Sequence, residues 1–268
     1  MSDFKIGIDY GGTKIEGILI DSNGKEIQRK RSTYEKNYES GLNTVKSLVS
    51  EFDKFTDQQN SVGVCIPGFS SYETGLVNNA NCIWINDKPF HKDLEKSLNR
   101  EIRIMNDANC FALSEAIDGS GANYKSVWGV IIGSGFGGSF VYEKKVIEGV
   151  NQIAGDWGHQ PLPYPTEEEI NSNVQCNVGN CKRPLCAEQF ISGIGFTKLF
   201  NEKYGTSLRT REIVALEANG DERAKKEFEL YEDRFARLIS VMIGIVDPEV
   251  IVFGGGISNV GRLYDNIP

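Results

Sequence analysis

The chain has 268 residues, enough for a sizeable core and compatible with two domains. Hydrophobic residues make up 40% and charged residues 25%, an ordinary balance for a soluble globular protein. The net charge of −8 is not gathered into one tail, and no Lys/Arg stripe exists, which argues against a nucleic-acid partner. No apolar run is long enough to span a bilayer, and no leader pattern precedes the first strand, so a cytoplasmic protein without a membrane partner is expected.

Residues 4–10 form the first element, an apolar run with Ile6 and Ile8 that suits a buried strand; Gly11 and Gly12 then turn the chain into a second strand at 14–20. Asp9 offers a hard oxygen ligand, Thr13 a hydroxyl and Lys14 a positive charge, and the two glycines let backbone N–H groups approach an anion. Such a set suits a magnesium polyphosphate. An ordinary β-hairpin accounts for the same residues. A third strand at 25–32 follows, then a helix at 38–55 with apolar positions Leu42, Val45, Leu48, Val49, Phe52 and Phe55. A strand at 62–66 ends at Pro67 and Gly68, so the first half begins βββαβ. Residues 70–90, rich in Asn, Gly and aromatic side chains, read as a long functional loop. A short helix at 93–99, a strand at 101–105 and a helix at 108–117 come next, which puts Asn106 and Asp107 at a strand end that feeds a helix start. Asp107 is there either as a helix cap or as a general base at the C-terminal edge of a sheet, where α/β ligand sites lie. The small residues at 118–122 read as a hinge dividing a domain at 1–118 from a domain at 119–268.

The second half repeats the opening arrangement: a strand at 126–132, a turn carrying Gly133, Ser134, Gly135, Gly137 and Gly138, and a strand at 139–142. A dinucleotide fingerprint must open a helix, and strand follows here, so that reading fails; no P-loop motif exists either. Two glycine hairpins could hold opposite sides of one nucleoside triphosphate. Residues 151–187 read as irregular and contain His159, Cys176, Cys181 and Cys186, a grouping that points to zinc. His91 reads as a surface residue, and Cys65, Cys82 and Cys110 as reduced, buried small hydrophobes. Helical patterns cover 188–204, 210–218 and 221–246, and a strand at 249–253 ends in a third glycine turn. Gly254 and Gly255 serve there either tight packing or the approach of backbone to a nucleoside.

Taken together these pieces resemble the ROK family of sugar kinases within the actin/hexokinase fold, with the match closest to its bacterial fructokinase and mannokinase branch. The matching residues are Asp9 through Lys14, Pro67 and Gly68, Asn79 and Asn81 with Trp84, Asn106, Asp107 and Asn109, Gly133 through Gly137, Gly155 through His159, Cys181 and Cys186 with Glu188, and Gly254 through Asn259. They span essentially the whole chain in family order.

The resemblance implies an α/β, two-domain actin/hexokinase-like (ribonuclease H-like) fold with a βββαβ unit in each half and a cleft that closes on sugar. It implies ATP-dependent phosphorylation of a free hexose at O6, with fructose as the expected acceptor and mannose or glucose as further ones. ATP, Mg²⁺ and a structural Zn²⁺ are the implied cofactors, and a homodimer is a compatible assembly. Asp107 is the implied catalytic base. Pro67, Gly68, Asn81, Asn106, Asp156, His159 and Glu188 join it in binding the sugar. Asp9, Gly11, Gly12, Thr13, Lys14, Gly133, Ser134, Gly135, Gly137, Gly254 and Gly255 are implied to hold the magnesium nucleotide. His159, Cys181 and Cys186 are the implied zinc ligands, with Cys176 replacing a family cysteine at the position of Gly179. Two further departures are Asp156 in place of a family glutamate and a family helical segment beyond the position of Pro268, whose absence is expected to expose an apolar groove and weaken ATP binding. A ROK-type transcriptional regulator is the alternative from another class, and an inactive truncated kinase a third. Such regulators carry a helix-turn-helix ahead of the sugar domain, whereas this chain opens on the first strand and keeps Asp107, which favours the kinase.

Overall fold

The computed structural model describes residues 4–176 and 181–268. They fall into two compact units, Met1–Cys110 with Gly149–Gln152, and Phe111–Glu148 with Ile153–Pro268.

The first unit runs β1 (Phe4–Tyr10), β2 (Lys14–Asp21), β3 (Glu26–Thr33), α1 (Tyr38–Thr56), β4 (Ser61–Ile66), β5 (Phe69–Ser70), β6 (Val77–Asn78), α2 (Phe90–Leu98) and β7 (Ile102–Asn106). Its main sheet has the order β3-β2-β1-β4-β7, with β4 and β7 parallel to β1 and the first three strands antiparallel. Alternate residues point inward, as the two-residue period of a strand demands: Ile6, Ile8 and Tyr10 on β1, Ile15 and Leu19 on β2, and Val62, Val64 and Ile66 on β4. They pack with Val45, Leu48, Val49 and Phe52 of α1 and with Phe90, Leu94 and Leu98 of α2. Because β1, β4 and β7 are parallel, their C-terminal ends share one edge of the sheet. Asp9, the Pro67–Gly68 turn, Asn106 and the residue after it therefore come to the same edge. The stretch expected as a loop at 70–90 has internal order: β5 pairs with β6, Ile83–Ile85 form a 3-10 turn, and the Asn86 amide both accepts from Ala80 N–H and donates to Ala80 C=O at 2.9 Å.

Helix α3 (Asp107–Ile117) continues directly from β7, and the division between the units falls inside it; the small residues at 118–122 follow its end. The second unit then contains β8 (Ser126–Ile132), β9 (Phe136–Tyr142), β10 (Lys145–Val146), α4 (Glu167–Asn171), α5 (Ala187–Ile191), α6 (Gly193–Tyr204), α7 (Thr210–Ala218), α8 (Glu222–Val246), β11 (Val250–Gly254) and α9 (Arg262–Asn266). The order β10-β9-β8-β11, with β11 parallel to β8, repeats the β3-β2-β1-β4 arrangement of the first unit. Its core joins Trp128, Val130, Ile132 and Phe136 to Phe196, Phe228, Tyr231, Phe235 and Leu238.

Three local details differ from the sequence expectation. Strand β9 starts at Phe136, so Gly137 and Gly138 lie in the strand and only 133–135 make the turn. A Cβ at Gly138 would stand 2.7 Å from Gly129 O of the paired strand and 2.9 Å from Trp157 Nε1, which excludes any side chain there. The helix expected at 188–204 is two helices, interrupted at Ser192, whose ψ of 151° is extended and whose Oγ accepts from Gly195 N–H at 3.0 Å. Gly193 and Gly195 weaken helical continuity, and the serine cap starts a new helix. The irregular stretch contains α4, opened by a Thr166/Glu169 capping box. Among the described residues no helix is long and apolar enough to cross a membrane.

Candidate active site

At the end of β7 the Asn106 carboxamide does two jobs. Its Oδ1 accepts from Ala108 N–H at 2.9 Å and Asn109 N–H at 3.3 Å, and its Nδ2 donates to Gly68 O at 2.9 Å. Asn106 is therefore the cap of α3, and it also ties the strand end to the turn after β4. That turn needs glycine: Gly68 has φ +74°, and a Cβ there would lie 2.3 Å from Asn78 O. With the cap supplied by its neighbour, Asp107 stands on the first turn of α3 with Oδ1 accepting from Ala108 N–H at 2.9 Å. Asp107 presents surface to solvent, yet protein crowds its carboxyl, and this desolvation is the main reason that its pKa is raised. The Asp9 carboxylate raises it further, against the lowering effect of the Ala108 N–H. A carboxyl held above its ordinary range and reachable from solvent has the character of a general base.

Asp9 lies on β1 opposite Cys65 of β4, whose thiol donates to Asp9 Oδ1 at 3.6 Å. After it the chain turns through Gly11 and Gly12, closed by Gly11 N–H to Lys14 O at 3.1 Å. Thr13 and Lys14 are exposed, and Lys14 makes no ion pair among the described residues. Cys65 and Cys110 are half-buried rather than fully buried, and the thiol pKa of Cys65 is pushed up, first by its hydrogen bond with Cys110 and then by burial. Asn81 is exposed beside the 3-10 turn, its Oδ1 accepting from the Cys82 thiol at 3.5 Å.

In the second unit, Glu188 is buried at 3% exposure on the first turn of α5. Its Oε2 accepts from Phe136 N–H at 2.9 Å, at the entrance to β9. Burial, with the Asp156 carboxylate adding to it, pushes its pKa up to about 7 despite that hydrogen bond. Gly158 packs against it: a Cβ at Gly158 would lie 2.8 Å from Glu188 Oε2 and 1.9 Å from Phe136 O. Glu188 N–H also donates to Gly158 O at 2.7 Å, so the segment carrying Asp156 and His159 is laced to α5.

Immediately before α5, the ligand atoms of His159, Cys176, Cys181 and Cys186 all lie within 4.8 Å of one another. His159 Nδ1 is 3.4 Å from Cys186 Sγ, which is 3.9 Å from Cys181 Sγ. Tetrahedral zinc with Zn–S near 2.3 Å places its ligand atoms roughly 3.8 Å apart. One imidazole and three thiols at this spacing fit that ion. Gly179 lies outside the described residues.

The second hairpin borders a cavity of about 490 Å³ lined by Gly133 and Ser134, by Gly193 and Ile194 at the start of α6, by Thr210, Arg211 and Val214 of α7, and by Gly256, Ile257, Asn259 and Val260. Gly193 N–H donates to Gly133 O at 2.8 Å, and Thr210 Oγ1 to Gly193 O at 3.3 Å, which joins hairpin, α6 and α7 into one rim. Its walls are mostly apolar and its hairpin end is backbone, the division that a nucleoside with phosphates requires. Gly254 and Gly255 do not line the cavity: a Cβ at Gly254 would lie 2.5 Å from the Phe111 ring, and one at Gly255, with φ +87°, 2.6 Å from Ile132 O. Gly135 faces Glu188 Oε1 at 3.2 Å from its would-be Cβ, whereas Gly137 has open space.

The ROK family model matches residues 5–268. The chain belongs to the ROK family. An N-acetyl-D-glucosamine kinase of Pasteurella multocida (strain Pm70) is 39% identical over 269 residues, spanning 98% of this chain and 88% of the relative. One of the same name from Haemophilus influenzae (strain 86-028NP) is 39% identical over 267 residues, spanning 98% and 87%. The ROK hexokinase of Thermus thermophilus superposes with a TM-score of 0.84 at 22% identity, covering 98% of this chain and 86% of that one, a likeness of fold. Within this ROK chain, Ile194, Thr210, Arg211, Val214 and Val260 line the cavity without having been singled out in the sequence. Their one sequence signal is the Ser192-Gly193 pair, a cap followed by glycine in a run otherwise read as continuous helix.

Proposed function

We propose that this sugar kinase transfers the γ-phosphoryl group of ATP to the 6-hydroxyl of N-acetyl-D-glucosamine, with Asp107 as the general base. The observation that carries the reading is the 37–39% identity, across 98% of the chain, to relatives named N-acetyl-D-glucosamine kinase. It moves the expected acceptor from fructose to an N-acetylated hexosamine.

Phosphoryl transfer asks a protein for positioning and charge neutralisation rather than covalent chemistry. Asp107 accepts the proton of the attacking hydroxyl, and the desolvation that raises its pKa makes it a better base. Asn106, fixed by Gly68 and α3, keeps that carboxylate aimed. Asn81 and the Pro67–Gly68 turn complete the first unit's share of sugar contacts. Asp156, His159 and Glu188 take the remaining hydroxyls. Lys14, Thr13 and the Gly12 N–H bind phosphate oxygens, as do Gly133, Ser134, Gly135 and Gly137, and the cavity beside Ile194 and Val214 receives the nucleoside. Asp9 would hold the magnesium of MgATP, which when bound neutralises phosphate charge. His159, Cys176, Cys181 and Cys186 would hold zinc, whose contribution is to lock the Asp156–His159 segment onto α5. Six cysteines outside any disulfide suit a reducing, cytoplasmic setting.

The test is product identity. Phosphorus NMR of a reaction containing ATP and N-acetyl-D-glucosamine should show a phosphomonoester coupled to two methylene protons, the signature of a 6-phosphate. Product with fructose and none with the N-acetylated sugar would overturn the proposal.

A further inference from the structure

In the first unit the phosphate-type turn is not held only by its own hairpin. Tyr34, just after β3, donates its hydroxyl to Gly11 O at 2.8 Å. A trans peptide is planar, so anchoring the Gly11 carbonyl on one side points the Gly12 N–H to the other. Among the described residues no hydrogen bond takes up that N–H. The tyrosine hydroxyl thus fixes the direction of a free, half-exposed amide in the turn.

Behind Tyr34 stands a connected set of aromatic rings. Its ring lies 5.5 Å from that of Tyr10 and 6.0 Å, edge-on, from that of Trp84. Trp84 Nε1 donates to Tyr10 Oη at 3.2 Å. Tyr10 is fully buried, and α1 makes room for its hydroxyl with a glycine: a Cβ at Gly41 would lie 1.9 Å from Tyr10 Oη. Glycine inside a helix is costly, and both the hydroxyl and the ring edge of Tyr10 require it here: the same Cβ would lie 2.9 Å from Tyr10 Cζ. The hydroxyl seated in that space accepts from Trp84. Trp84 sits in the 3-10 turn next to Asn81 and Cys82, and Cys82 Sγ would be only 3.4 Å from a Cβ on Gly12. The segment at 79–85 and the turn at 11–13 therefore touch directly and are also bridged by Trp84, Tyr10 and Tyr34.

We propose that Tyr34 is a positioning residue for the Gly11–Gly12 turn, and that Trp84, Tyr10 and Tyr34 transmit the state of the 79–85 segment to it, so that sugar binding improves the grip on nucleotide phosphates. The second clause rests on the sugar kinase reading above; the first does not.

The experiment uses the full chain with Tyr34→Phe, which keeps the ring and removes only the hydroxyl, and with Trp84→Phe. Calorimetry measures the affinity of each for magnesium tripolyphosphate and for MgATP, with and without N-acetyl-D-glucosamine, alongside melting temperature. Loss of one hydrogen bond predicts tripolyphosphate binding weaker by about 2–10-fold in Tyr34→Phe, with melting temperature and affinity for sugar alone unchanged. Trp84→Phe should shrink the factor by which the sugar tightens MgATP binding. Wild-type affinity for tripolyphosphate in Tyr34→Phe overturns the proposal, as does equal weakening of sugar and tripolyphosphate with a lower melting temperature, which marks a packing role only. A wild type that binds no tripolyphosphate overturns it too. A wild type that binds MgATP but phosphorylates no hexose refutes the sugar kinase reading, while the tripolyphosphate comparison still decides the role of Tyr34.

Discussion

The hairpins β1–β2 and β8–β9 occupy equivalent places in two sheets of the same strand order, and they are equipped differently. The first presents side chains: Asp9 before the turn, Thr13 and Lys14 after it, with Asp107 on the same sheet edge raising and sharing the local negative charge. The second presents backbone, with Gly133 and Gly135 in its turn, and opens onto an apolar cavity. Charge is concentrated on one copy of the motif and shape on the other. The same contrast recurs in the carboxyl groups. Asp107 is reachable from solvent, whereas Glu188 is buried and fixed by a backbone N–H.

If that division is right, Asp107→Asn should lower kcat by roughly 10²–10⁴-fold without lowering the melting temperature, because Asn106 and not Asp107 caps α3 and the raised pKa of Asp107 marks its charge as unfavourable in the fold. Asn106→Ala should instead cost about 1 kcal/mol of stability. Steady-state kinetics and thermal melts on the two variants separate the roles.

The cluster of His159, Cys176, Cys181 and Cys186 sharpens the contrast from the other side. Mass spectrometry should find about one zinc per chain, falling well below that in Cys176→Ala, with the Michaelis constant for sugar rising more than that for ATP. Full zinc retention in Cys176→Ala would remove this cysteine from the ligand set.

Glu188 gives a pH dependence. Its folded pKa, about 7, stands above the ordinary 4.5, so the folded state favours the protonated form. Stability from this group is full below pH 4.5 and is lost as pH rises through 7, by up to ~3 kcal/mol for a shift of this size. Glu188→Gln should therefore melt higher than wild type at pH 8 and level with it at pH 4.5, while binding sugar more weakly at pH 8. Parallel melts at the two pH values decide this.

The smallest effect is expected in the cavity. Val214→Ala removes two methyl carbons from its wall and should raise the Michaelis constant for ATP by about 3–10-fold, leaving that for sugar alone. Equal shifts in both constants would mean that the cavity is not the nucleoside's.

Much of the frame was legible because it depends on local signals. Alternating Ile6 and Ile8, the Gly11–Gly12 turn, the strand end at Asn106 and the cysteine spacing all act within a few residues of themselves. What escaped depends on distant contacts. The break at Ser192 arises where Gly195 has to pass Gln189 O, within 2.2 Å of its would-be Cβ, and the cavity wall draws on α6, α7 and the residues after β11. Gly254 and Gly255 looked alike with the other glycines in the sequence, but Phe111 and Ile132 occupy the space around them. The acceptor sugar was the least legible feature. In the proposed reading Asp107, His159 and Glu188 address hydroxyl groups that hexoses share, and an acetamido group, being neutral, calls for no charged motif that a sequence would display.

The acceptor is therefore where the account is most exposed, and one comparison tests it: kcat/KM for N-acetyl-D-glucosamine against fructose, with ATP saturating. A pocket built around the acetamido group should favour the N-acetylated sugar by at least about 10–100-fold. A ratio at or below unity would contradict it and return the chain to fructose.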